Sequence, residues 1–103
     1  MASGIKHDDK KDRWDLLPWD ILEDIVKVLS YGARKYSPGN WKDVEPFRER
    51  YFAACLRHIT AWRKGELLDP ETGAHHLSHA ICCLMFIVWK DKRLLNTLTP
   101  IKR

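Results

Sequence analysis

Within the stretch GELLDPETGAHHLSHA, residues 65–80, three carboxylates and three histidines fall in sixteen residues. Carboxylates at this density repel one another unless a cation or basic side chains lie among them. Glu66 and Asp69 stand three apart and Glu71 follows. A hard cation such as Mg2+ is held by one or two carboxylates together with substrate phosphate oxygens. The same spacing also describes a solvated loop, with Asp69-Pro70 starting a turn and Glu71 or Thr72 capping the next helix. His76 and His79 share a face at helical spacing and adjoin the apolar side that carries Ala80, whereas His75 falls on another face. His58 lies one turn before Trp62. Inward histidines of this kind ligate a transition metal such as Zn2+ or Mn2+, bind phosphate or a base, or donate hydrogen bonds within a core.

A phosphate ligand also needs cations. Lys11 and Arg13 near the N-terminus, Arg34 and Lys35, and Arg57 beside His58 are the candidates. A guanidinium fork matches phosphate oxygens. Arg34 and Lys35 equally suit the C-terminal end of a helix. No glycine-rich phosphate loop, GxSxG or zinc-finger spacing is present.

Three helices must position these groups. Residues 1–15 are polar and aperiodic and read as an extended arm; residues 16–103 read as one helical domain. Leu16-Leu17-Pro18 leads into a helix from Trp19 to about Tyr36, with Ile21, Leu22, Ile25, Val26 and Leu29 at three- and four-residue spacing. Ser37-Pro38-Gly39-Asn40 is a turn. Pro46 opens a second helix, with Asp43 or Glu45 near its N-terminus, and Gly65 stops it. Residues 66–73 form a loop, and a third helix runs from about Ala74 to Asp91. Leu94, Leu95 and Leu98 suggest a further short helical segment before Pro100. No segment alternates as a strand does, so the expected fold is all-α. Three helices leave apolar faces uncovered, which predicts completion by a homo-oligomer.

Composition narrows the partners. The chain has 103 residues, a net charge of +4 and interspersed rather than blocked charges. That pattern lacks the basic stripe of a nucleic-acid-polymer binder and suits a phosphate-bearing small molecule. Cys55, Cys82 and Cys83 form no CxxC pair, and an odd count predicts reduced thiols in a cytoplasmic protein. The longest apolar run, Ala80 to Trp89, is about half of the roughly 20 residues a membrane span needs.

In order and spacing, several pieces resemble the phage-type N-terminal domain of dATP/dGTP diphosphohydrolases, a group similar to the all-α, MazG-like nucleotide pyrophosphohydrolases. The pieces are Lys6-x-Asp8-x-x-Lys11-x-Arg13-x-Asp15-Leu16-Leu17-Pro18, Tyr31-Gly32-Ala33-x-Lys35-Tyr36 and Asn40-Trp41. Arg57-His58-x-x-Ala61-Trp62, Gly65-Glu66-x-x-Asp69-Pro70-Glu71-Thr72-Gly73 and His76-Leu77-x-His79-Ala80 complete the set. The resemblance implies metal-dependent hydrolysis of a deoxypurine triphosphate to the monophosphate and pyrophosphate, in a bacterial host if the protein is phage-encoded. MazG-like enzymes carry a helical ExxE followed closely by ExxD. Glu66-x-x-Asp69 is similar to the second half, and only Asp20-x-x-Glu23, far upstream, approaches the first.

The expected assignments follow. Glu66, Asp69 and Glu23 hold Mg2+ or Mn2+; Glu71 or His58 takes the proton of the attacking water. Lys11, Arg13, Lys35 and Arg57 neutralise the phosphates, Trp41 or Trp62 stacks on the base, and His76 and His79 contact the nucleotide. A module that captures a nucleotide without cleaving it is the rival reading, and a helical protein-interaction domain is a third.

Overall fold

The computed structural model describes residues 3–98 and is all-α. A 3-10 turn at Trp14–Leu16 leads into α1, Trp19–Lys35. A second 3-10 turn at Asn40–Asp43 precedes α2, Phe47–Arg63, and a loop connects it to α3, His76–Leu98. No helix among the described residues is long and apolar enough to cross a membrane.

The expected helices are present, with two corrections. The 3-10 turn at Asn40–Asp43, too short to show periodicity, follows the turn expected at residues 37–40 and was not itself anticipated. Residues 92–98 continue α3 rather than forming a separate segment, because no glycine or proline interrupts them before Pro100. Arg93 Nη1 donates to the Trp89 carbonyl at 3.2 Å and its guanidinium lies 4.2 Å from the Trp89 ring, which supports the continuation. Pro100 lies outside the described residues.

α2 and α3 pack along their lengths, and α1 lies against α3. Phe47, Cys82 and Phe86 form the larger buried cluster, covered by Ile25, Val28 and Leu29 of α1 and by Trp41, Tyr51 and Trp89. Trp41 stacks on Phe86 with ring centroids 4.2 Å apart and meets Trp89 edge-on at 4.9 Å. The Asn40–Asp43 turn therefore places an aromatic lid on the core. Cys55, Ala80 and Cys83 form a second cluster where the helices approach closely. All three cysteines are free and buried, and burial pushes the Cys83 thiol up to about 12. They are packing residues.

The helix ends set the loop. Gly65, at φ 102°, donates to the Trp62 carbonyl, and Glu66 N–H donates to the Ala61 carbonyl. These two bonds are a Schellman stop, which glycine adopts without Cβ strain. Neither Asp43 nor Glu45 caps α2, whose N-cap is Pro46. At α3 the residue set aside in the sequence, His75, accepts the Leu77 N–H on Nδ1 at 3.0 Å, so neither Glu71 nor Thr72 is needed there. Much of one face of α2 and α3 is uncovered, including Phe52, Leu56, Leu84 and Val88.

Candidate functional site

The α2–α3 loop folds back on itself through backbone bonds. Asp69 N–H donates to the Ala74 carbonyl at 2.7 Å, His76 N–H to Leu67 at 2.8 Å and Gly73 N–H to Asp69 at 2.7 Å. Asp69 occupies the centre. Its Oδ1 accepts the N–H groups of Glu71 at 2.8 Å and Thr72 at 3.0 Å. Burial opposes its charge, but those N–H groups, with His79 and His58 nearby, hold the carboxyl below its ordinary range. The expected turn at Asp69 thus uses one oxygen and leaves the other: among the described residues Oδ2 accepts no hydrogen bond, and it lies 3.9 Å from His58 Nδ1.

α2 and α3 bring the histidines to the same place. His58 Nδ1 faces His76 Nδ1 at 2.9 Å, and His76 Nε2 lies 2.6 Å from Glu66 Oε1. A carboxylate only accepts, so His76 donates from Nε2 and its Nδ1 carries a lone pair when the ring is neutral. The proton between the two rings then belongs to His58. His79 stacks on His58, with centroids 4.5 Å apart and 8° between planes. Its Nε2 meets Thr72 Oγ1 at 2.6 Å. Burial lowers the pKa of both His58 and His79, with neighbouring histidine charge adding to it, so both are neutral at neutral pH.

Beside this cluster lies a cavity of about 770 Å³. α1 contributes Tyr31 and Lys35, and its C-cap Tyr36; the second 3-10 turn contributes Trp41; α2 contributes Tyr51, Arg57 and His58. The loop and α3 contribute Asp69, Glu71, Thr72 and His79. The wall is therefore aromatic on one side and titratable on the other. Glu71 crosses it: its Oε1 accepts from Tyr31 at 2.7 Å and Lys35 at 2.6 Å, and the lysine bond, followed by the tyrosine bond, depresses its pKa.

Of the residues singled out in the sequence, Lys35, Arg57, His58, Glu66, Asp69, Glu71, His76 and His79 come together here. Trp41 reaches the cavity wall, but one ring face is already stacked on Phe86. Five do not join them, the first being Arg34, exposed in the last turn of α1 and off the cavity wall. Glu23 is exposed on α1, away from both the histidine and carboxylate cluster and the cavity wall, because three helical turns of α1 separate it from Lys35. Trp62 is off the cavity wall. Lys11 and Arg13 lie in the exposed arm, where Arg13 pairs with Asp15 at 2.7 Å. Conversely, Tyr31 and the hydrogen bond between Thr72 and His79 were not anticipated. Tyr31 precedes Lys35 by one helical turn, so the shared face was legible.

An all-α domain with an imidazole and carboxylate cluster opening on an aromatic, basic cavity is the class these features define. The chain belongs to the family described as dATP/dGTP diphosphohydrolase, N-terminal, whose profile matches residues 1–97. It is similar to a dATP/dGTP diphosphohydrolase of Salmonella phage PMBT28, with 38% identity over 87 residues. That match covers 84% of this chain and 29% of the phage protein, so the chain spans under a third of that relative's length. No solved structure matches.

Proposed function

We propose that this chain forms the nucleotide-phosphate site of a metal-dependent diphosphohydrolase acting on a purine deoxynucleoside triphosphate. The observation that carries the reading is the juxtaposition of Asp69, His58 and His79 with Lys35 and Arg57 around one cavity. The family and the phage relative's name support the substrate class. Arg57 and Lys35 supply charge for the phosphates, and the aromatic wall from Tyr31 to Trp41 accommodates the base. Asp69 and His58 present ligand types suited to a divalent cation on the cavity wall. Such a cation, when bound, offsets phosphate charge and lowers the pKa of an attacking water.

The reaction adds water to the α-phosphorus and breaks its bond to the oxygen bridging to the β-phosphorus. Pyrophosphate leaves, and the water proton passes to a base. His79 suits that role better than Glu71. It is neutral and on the cavity wall, and because the Thr72 hydroxyl donates to Asp69 Oδ1 at 3.4 Å, His79 donates to it from Nε2 and keeps Nδ1 as an acceptor. Glu71 is held as a depressed carboxylate by Lys35 and Tyr31. A nucleotide displacing Glu71 from Lys35 would open the cavity as it binds.

One observation favours the rival reading of capture without cleavage: Glu71 is tied to α1, Glu66 to His76, and Glu23 is elsewhere, so among the described residues Asp69 is the one carboxylate grouped with both His58 and His76. Incubation with dATP or dGTP and a divalent metal, followed by chromatography of the denatured mixture, separates the two. Deoxynucleoside monophosphate with pyrophosphate supports hydrolysis; stoichiometric recovery of intact nucleotide supports capture.

A further inference from the structure

We propose that His58 Nδ1, His76 Nδ1 and Asp69 Oδ2 form a centre for one first-row transition ion, Mn2+, Co2+, Ni2+ or Zn2+, with Glu66 orienting His76 from outside rather than ligating. The inference names the cation of the site proposed above, so it rests on that reading for its purpose, but its tests do not use turnover.

Three observations carry it. The three atoms lie within 4.8 Å of one another. Nitrogens bound to one ion at about 2.0–2.1 Å each stand roughly 3 Å apart, and His58 Nδ1 and His76 Nδ1 are 2.9 Å apart. Secondly, Asp69 Oδ2 accepts no hydrogen bond from the described residues, although the side chain retains only 15% of its exposure. Its partner oxygen is fully committed to the loop backbone, which fixes the carboxylate with Oδ2 toward the histidines.

The third observation is the support behind each ligand atom. Metal-binding histidines hand their remaining N–H to a carboxylate or carbonyl, and His76 Nε2 does so to Glu66 Oε1 at 2.6 Å. The His58 ring is held flat by His79, and His79 is tied through Thr72 to the Asp69 turn. Glu66 therefore does not occupy the ligand position its spacing suggests. Two imidazoles with one carboxylate select transition ions over Mg2+, which prefers oxygen ligands. Three protein ligands leave a position open, and His58 and Asp69 both line the cavity. On binding, the proton on His58 moves from Nδ1 to Nε2, so both facing lone pairs meet the ion and no net charge change on the rings is needed.

The test is titration of tag-free, metal-free protein with Co2+ and Zn2+, read by visible absorption, calorimetry and nitrogen-15 spectra of the histidine rings. The expected result is one Co2+ per chain with ligand-field bands stronger than those of the aqueous ion. Zn2+ should displace it and shift the Nδ1 resonances of His58 and His76 while His75 is unmoved. His58→Ala and His76→Ala lose the bands. Glu66→Gln keeps the stoichiometry and weakens affinity about 10- to 100-fold. The ring spectra are taken on the unmodified chain, so the result does not depend on variants that fail to fold. Nδ1 resonances unmoved by Zn2+, or Co2+ bands that persist in His76→Ala, would overturn the centre. Either result would overturn the centre alone, since the proposed hydrolysis is read separately, from its products. Tight Co2+ binding through these nitrogens without any turnover would uphold the centre and count against the hydrolysis.

Discussion

α2 and α3 meet in two regions built on different physics. At one, Phe47 and Phe86 are sealed by Trp41 and Trp89. Contact there is non-directional, and its strength follows the apolar area removed from water. At the other, His76 and His79 bond the folded loop at Glu66 and Thr72 and His58 bonds His76, each through single contacts between named atoms. Among the described residues no fully enclosed side-chain nitrogen or oxygen lacks a partner, and Asp69, whose Oδ2 is unbonded, lines the open cavity. The aromatic region supplies stability that tolerates imprecision. The polar region holds atoms in place and supplies little surplus, since each bond replaces one to water. This division lets the chemistry of the second region be altered while the first keeps the helices together.

The largest effect should come from breaking the aromatic region. Phe86→Ala removes the ring beneath Trp41 and should cost about 3–5 kcal/mol of unfolding free energy, measured in denaturant. It should also reshape the cavity, which Phe86 lines. Asp69→Asn attacks the polar region instead. The amide oxygen can still accept the Glu71 and Thr72 N–H groups, so the loop should survive by circular dichroism. Pyrophosphate release should fall about 100-fold or more, since the charged oxygen facing the histidines is gone.

Acidification tests the same contrast without a mutation. The folded pKa values of His58 and His79 lie below their ordinary 6.5. Below pH 6.5 the unfolded chain therefore binds more protons than the folded one, and stability falls as pH drops. The loss begins near the unfolded value and levels off once pH passes below the depressed folded values. Melting temperatures measured from pH 7.5 downward should decline through that window, and His79→Asn should flatten the decline relative to the unsubstituted chain.

Gly65→Ala should cost about 1 kcal/mol, because φ 102° is strained for any residue with a Cβ. The smallest effect should be that of Glu71→Gln. Its exposed pair with Lys35 contributes little to stability, so the melting temperature should be unchanged. Freeing Lys35 should tighten nucleotide binding by roughly three- to tenfold in calorimetry.

The two regions were not equally legible in the sequence. Ile25 and Leu29 announced the face of α1 that packs on the core, and Gly65 announced the end of α2, because periodicity and glycine act locally. The inward face of His76 and His79 was legible for the same reason. The Glu66–His76 bond was not: Glu66 lies in a loop with no helical phase, and only the Schellman stop and the return of the chain at Leu67 bring it back. His58 and His76 meet because α2 and α3 pack in one register, which no local pattern contains. Glu23 failed for the converse reason. Its spacing from Asp20 matched a motif, yet the fold keeps it from the carboxylates it was meant to join.

The most direct test is turnover of dGTP in oxygen-18 water, with mass spectrometry of both products, for the unsubstituted chain and Asp69→Asn. The account expects one labelled oxygen in the deoxyguanosine monophosphate, none in the pyrophosphate, and loss of both products in the variant. Label in the pyrophosphate, or equal product formation by Asp69→Asn, would contradict it.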